Sequence, residues 1–273
     1  MSSGFLLDKW YLDAVTSDGV CVIAYRAEVR YRALRVHYAA VTISPPDGKA
    51  DARSSLRGGA APVVDGPHVR WACPALGVAM SLERTVPEGS RRLFDGEDGV
   101  IDWECVAPAG RARLELDGVT RGATGYAERL VMTVPPHRLP MHTLRWGRFV
   151  ADDAGAAAAW IHWRGPERRD LVLCDGEVSP ATEVSDHRCS WPGAAGMSDV
   201  AIAPGRVLRA SKSEGTLMDS IPALRRFAPP MVRAALGLRE TKWLARGALG
   251  APNRAGVDGW VVHEVVTFPE IDA

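Results

Sequence analysis

Two stretches of the sequence repeat one another in order, and this repeat restricts the fold more than any other feature. Trp10 opens WYLDAVTSDGVCVIAYR, and Trp146 opens WGRFVADDAGAAAAWIHWR. Each runs through a small, acidic turn (Ser17-Asp18-Gly19; Asp153-Ala154-Gly155) and ends in an aromatic residue followed by arginine (Tyr25-Arg26; Trp163-Arg164). ISPP at 43–46 answers VSPA at 178–181, and GYAE ahead of LVMTVPP answers GWVVHE ahead of VVTFPE. The separation from Trp10 to Glu128 is 118 residues, and so is that from Trp146 to Glu264. Between the copies lies TVPPHRLP (133–140), with three prolines in eight residues. An ordered repeat split by a stiff linker predicts two halves of like structure, 1–135 and 136–273, with Trp10 superposed on Trp146 and Glu128 on Glu264.

The hydrophobic period within each half is two. GVCVIAYRAEVRY (19–31), RVHYAAVTIS (35–44), VIDWECV (100–106), RARLEL (111–116), GYAERLVMTV (125–134), DLVLC (170–174) and GWVVHEVVTF (259–268) alternate or are rich in β-branched and aromatic residues. Turn clusters such as SPPDG, DGEDG, APAG and LDG separate them. Many short strands with regular turns predict an all-β sandwich or barrel. Only 218–248 has helical spacing, and Pro229-Pro230 interrupts it, so a helix or broken helix is expected over 221–237.

Other classes are excluded on composition. Lys+Arg and Asp+Glu both number 33, which leaves no cationic excess for a nucleic-acid footprint. Five widely spaced cysteines without a CxxC pair indicate neither a disulfide framework nor a zinc site, and no metal is expected. MSSGFLLDKWYLD has no basic n-region or long apolar run, so a signal peptide is not expected. No stretch approaches the roughly 20 apolar residues of a membrane span. The expectation is a cytoplasmic protein without an integral membrane segment. Nucleophile elbows, phosphate loops, dinucleotide fingerprints and HExxH helices are absent from the sequence.

DKWYLDAVTSDG resembles the acidic-aromatic opening of the lipocalin-like carotenoid hydratase (hydroxyneurosporene synthase) family, which is related in fold to plant tocopherol cyclase. Gly125-Tyr126-Ala127-Glu128 matches that family's G-Y-x-D/E strand. Leu144-Arg145-Trp146-Gly147 stands where the family has H-N-W-G, and Leu173-Cys174-Asp175 where it has Y-Y-D. The tryptophan, glycine and aspartate are kept, and the histidine and tyrosines are replaced. The resemblance implies two tandem lipocalin-like (calycin) β-barrel halves and a cofactor-independent enzyme for an apolar isoprenoid or polyene, acting by acid-assisted hydration or cyclisation or by shape-guided intramolecular cyclisation. The alternative is a non-catalytic lipid or pigment carrier.

Protonating an alkene requires a carboxylic acid in an apolar setting and π faces to stabilise the cation. Asp175 and Glu128 are the candidate acids. Trp146, Trp160, Trp163, Tyr126, Trp10 and Arg145 are the candidate ligand contacts. Asp175 precedes Gly176 and also reads as a turn residue. Glu128 shares a strand face with Tyr126 and Leu130, and the other reading is a buried ion pair with Arg145 or Arg148. Trp160 and Trp163 should point to opposite faces of one strand, and for each tryptophan core packing is the competing role.

Overall fold

The computed structural model describes residues 4–57, 59–135, 138–139, 141–193, 196–212, 239–251 and 254–268. Two curled sheets of ten strands each account for nearly all of them. The first sheet holds β1 (Phe5–Val15), β2 (Cys21–Tyr31), β3 (Leu34–Ser44), β4 (Asp51–Ser55), β5 (Val63–Asp65), β6 (His68–Cys73), β7 (Val78–Arg84), β8 (Gly89–Gly96), β9 (Gly99–Leu116) and β10 (Val119–Met132). The second holds β11 (Thr143–Ala151), β12 (Ala157–Arg164), β13 (Arg169–Cys174), β14 (Glu177–Pro180), β15 (Glu183–Val184), β16 (Arg188–Gly193), β17 (Gly196–Ile202), β18 (Arg206–Lys212), β19 (Arg239–Ala251) and β20 (Arg254–Thr267).

The order of the first sheet is β4-β3-β2-β1-β10-β9-β7-β6-β5, with β8 on β9. The second reads β14-β13-β12-β11-β20-β19-β17-β16-β15, with β18 on β19. Adding ten to each label converts one sheet into the other, so the repeat read in the sequence is a repeat of topology. In each sheet the opening strand pairs with the closing one. By compactness the chain divides into residues 1–134 with 150–157, and 135–149 with 158–273.

In the first sheet, alternation assigns one face to a core. Trp10, Leu12 and Ala14 of β1 cluster with Val22 and Ala24 of β2, Ala39 and Val41 of β3, Trp71 of β6, Met80 and Leu82 of β7, and Leu114 of β9. Strands far apart in the sheet order share one cluster, so the sheet curls and this face is concave. The opposite face of β1 and β10 is buried too: Tyr11, Asp13, Tyr126 and Glu128 are all withdrawn from solvent.

Three expectations need correcting. VIDWECV and RARLEL are not two strands parted by a turn at APAG; they are one 18-residue strand, β9. Pro108, within APAG, has no N–H to donate, and the β9–β10 register slips between Gly125 and Ala127 and again between Ala127 and Arg129. The chain continues through a double bulge instead of turning. The helical spacing ascribed to 218–248 fails over 239–248, which belong to β19. The helix expected over 221–237 lies outside the described residues.

The superposition of Trp10 on Trp146 is out by one residue. Tyr11 lies directly opposite Glu128 and Trp10 opposite Arg129, so Trp10 and Glu128 occupy different faces. In the second sheet the Lys242 ammonium sits 5.5 Å from the Trp146 ring and 2.5 Å from Glu264 Oε2, which places Trp146 and Glu264 on the same face. Trp146 therefore corresponds in facing to Tyr11, and a slip of one residue exchanges the two sides of a strand.

Candidate active site

On β10 a Tyr-x-Glu step presents Tyr126 and Glu128 to one side, and on β1 a Tyr-x-Asp step does the same with Tyr11 and Asp13. The two strands are antiparallel, with Tyr11 opposite Glu128 and Asp13 opposite Tyr126. Two tyrosines and two carboxylates thus alternate at the corners of a square. The Tyr126 hydroxyl donates to Glu128 Oε2 at 2.6 Å, and the Tyr11 hydroxyl donates to Asp13 Oδ2 at 2.9 Å. Trp103 of β9 adds a third donor, its Nε1 reaching Glu128 Oε2 at 2.6 Å. The Tyr11 ring meets Tyr126 edge-on at 6.0 Å and Tyr25 at 5.3 Å. Gly125 lets β1 approach: a Cβ there would lie 2.7 Å from the Asp13 carbonyl oxygen.

The two bulges of β9 lie opposite this square. Gly125, Ala127 and Arg129 have partners on β9, and the register slips over the intervening Tyr126 and Glu128. Bulges re-aim side chains and recur beside active sites. The setting is dry. Asp13, Tyr126 and Cys105 are fully enclosed, and Glu128 is 9% exposed. Burial above all, with Cys105 and Glu128 beside it, pushes the Tyr126 phenol well above its ordinary value, so it remains a proton-bearing donor. Burial likewise raises the Cys105 thiol and keeps it uncharged. A cleft of about 290 Å³ over β8 and β9 is lined by Ser90, Arg91, Arg92, Asp102, Trp103 and Glu104.

The second sheet treats its corresponding carboxylate differently. Glu264 Oε2 meets Lys242 Nζ at 2.5 Å, and that lysine is 2% exposed. Glu128 accepts from a neutral indole and a neutral phenol; Glu264 faces an ammonium ion. Lysine at 242 converts this corner into an ion pair, whereas in the first sheet a phenol and an indole hydrogen-bond the carboxylate.

The structure separates the other residues singled out in the sequence. Asp175 is exposed at the tip of the β13–β14 hairpin, where Asp175 (φ 51°) and Gly176 (φ 80°) form the two left-handed positions of a type I′ turn. That placement lacks the apolar enclosure expected of a proton donor, and the turn chemistry of Asp-Gly accounts for it. Arg145 pairs with Asp186, and Arg148 donates to the Trp260 carbonyl at 2.6 Å. Trp10 packs in the concave core with the Arg129 guanidinium 5.7 Å from its ring.

Trp146, Trp160 and Trp163 are all buried but do not form one wall. Trp160 lies across Gly147, on the face opposite Trp146, because a Cβ at 147 would meet its ring at 2.3 Å. Trp163 is three residues along an unbulged strand and faces away from Trp160. Of the residues at this square, the sequence named Tyr126 and Glu128 as candidates and did not single out Tyr11, Asp13 or Trp103. The matching Tyr-x-Asp and Tyr-x-Glu steps were a usable signal once the first and last strands of a half were assumed to pair.

No protein-family model matches the chain, and no curated protein matches it. Solved structures do. CghA aligns with a TM-score of 0.59 at 11% identity, over 99% of this chain and 90% of its own. A protein described as a putative AttH from Nitrosomonas europaea aligns at 0.55 with 14% identity, over 96% and 92%. Kievitone hydratase from Nectria haematococca aligns at 0.54 with 8% identity, over 97% and 90%. The fold is the tandem lipocalin-like one. None of the described helical segments is long and apolar enough to cross a membrane.

Proposed function

We propose that the first half carries a cofactor-independent acid–base centre, built on Glu128 and Tyr126 with Tyr11 and Asp13, for hydrating or cyclising an apolar isoprenoid- or polyene-type molecule. The observation that carries this reading is the buried Tyr/carboxylate square with neutral donors. Burying a carboxylate costs several kcal/mol, which neutral hydrogen bonds offset in part. A carrier of apolar ligands needs apolar walls and has no use for two enclosed carboxylates. A neighbour of the same fold is named as a hydratase.

In the hydration version, a proton passes to one alkene carbon and leaves a cation on the other. The oxygen of a water molecule bonds to that cation, and the proton it sheds returns to the Glu128–Tyr126 pair. The net change is addition of water, and the pair ends as it began. In cyclisation a second double bond supplies the electrons in place of water. The rings of Tyr11, Tyr25 and Trp103 supply the π faces a cation needs. Tyr126 orients Glu128 and shares its proton.

The test is conversion of a panel of polyenes and isoprenoids, read by mass spectrometry for products heavier by one water or of equal mass. Glu128→Gln keeps the shape and removes the ionisable proton. It should lower turnover by about 10²–10⁴-fold, the range for general acid–base groups, with unchanged thermal stability. Asp175→Asn, at its exposed hairpin tip, should leave turnover intact. Wild-type turnover in Glu128→Gln would refute the centre, and loss of turnover in Asp175→Asn alone would relocate it.

A further inference from the structure

The concave face of the first sheet ends in a charged rim that is out of balance. Arg26 continues the row of Val22 and Ala24 on β2, and its cross-strand neighbours, Trp10 and Ala39, both belong to the core. The residue is 6% exposed. Its Nη2 finds only long contacts, 3.5 Å to Glu28 Oε2 and 3.5 Å to His37 Nδ1, and its Nε, fully enclosed, has no acceptor. Glu28 is already committed. Arg30 reaches its Oε1 at 2.5 Å and Arg35 at 3.0 Å, and these two hold its carboxyl down at about 2, so it stays ionised. Arg129 engages two further acids of this face, Asp8 of β1 bidentately at 2.9 and 3.2 Å and Glu104 of β9 at 3.6 Å.

Three guanidinium charges thus share one carboxylate, and the deepest of them has its Nε–Nη2 edge undersupplied. That edge is a two-pronged donor whose spacing matches a carboxylate. An enclosed donor without an acceptor is destabilising, and an incoming acceptor would relieve that cost. Arg30 and Arg35, with side chains 51% and 57% exposed, stand at the outer end of the row and can swing aside. Trp10 supplies an apolar wall on one side of the site.

We infer that Arg26 is a carboxylate-binding residue at the rim of the first half, which takes the head group of a small apolar acid. This site lies on the opposite face of β1 from the Tyr11–Glu128 square and does not depend on it.

Octanoate, octanol and acetate are titrated against the full chain by calorimetry, with octyl phosphate as a fourth arm. Octanoate should bind saturably at one site, at least tenfold more tightly than octanol. Acetate binding as tight as octanoate binding would overturn the assignment to an apolar acid. Octyl phosphate binding as strong as octanoate binding would overturn carboxylate selectivity, and equal binding of octanoate and octanol would overturn the anion site altogether. Arg26→Gln should weaken octanoate at least tenfold, and Arg26→Lys, which keeps the charge and loses the fork, should fall between. Circular dichroism and melting establish that both variants fold. Full octanoate affinity in both folded variants would refute the assignment. Glu128→Gln should leave octanoate affinity unchanged, which separates this test from that of the proposed reaction.

Discussion

His263 should make the protein acid-labile in a window set by its burial. The imidazole lies opposite Trp243 on β19 and stacks on it, with centroids 5.0 Å apart and planes 18° from parallel. Burial lowers its pKa from 6.5 to about 4; Asp186 opposes that shift, and Arg145 and His187 reinforce it. The folded state prefers the neutral ring, so the contribution to stability is present above pH 6.5 and is lost as the pH falls through about 4. Each unit of pKa difference corresponds to about 1.4 kcal/mol, so full loss amounts to about 3 kcal/mol. From pH 7 to pH 5 the loss works out at about 2 kcal/mol by proton linkage. His263→Phe keeps an aromatic ring against Trp243 and cannot titrate. Urea unfolding of both proteins at pH 7 and pH 5 isolates the difference, because the other titrating groups cancel between them. The wild type should lose about 2 kcal/mol more than the variant. Equal losses, or an NMR titration of His263 near 6.5 in the folded protein, would show that the ring is hydrated and that the reasoning from burial fails.

Gly147→Ala should destabilise by about 1–3 kcal/mol, the usual cost of overpacking, because its methyl group would enter the Trp160 ring at 2.3–2.4 Å; denaturant melts and the tryptophan emission maximum report it. Lys242→Met should cost about 3–5 kcal/mol by stranding the Glu264 carboxylate. Adding Glu264→Gln should recover most of that loss in the same melt, whereas no recovery would mean that packing over Trp146, not charge, sets the cost.

The all-β class and the duplicated halves were legible because they rest on period-two alternation and on repeat order, both of which are linear in the chain. Facing was not. Trp10 and Trp146 look equivalent by spacing, yet one residue of slip places one in the concave core and the other beside Lys242. Strand β19 was hidden because Lys242 occupies a buried position and the strand runs on through Ala245, Gly247, Ala248 and Gly250, so hydrophobicity does not alternate along it. Asp175 was drawn in by resemblance, although its own dipeptide, Asp-Gly, already described the turn it makes. Asp13 and Tyr11 went unnoticed because their chemistry appears only when a strand more than a hundred residues away is laid beside them.

That long-range pairing also fixes an order of events during synthesis. Strand β1 ends at Val15, and its partner β10 begins at Val119. At about 5–20 residues per second, on the order of 5–20 s pass between the emergence of the two strands. Throughout that interval β1 has β2 on one edge and an open row of backbone groups on the other, with the aromatic side chains of Trp10 and Tyr11 beside it. Contacts so distant in sequence form slowly, and an unpaired apolar edge recruits other chains. The first half is therefore most vulnerable to aggregation while it is being translated, and a ribosome stalled before residue 119 would hold a sheet that has neither its closing strand nor its Tyr126–Glu128 pair.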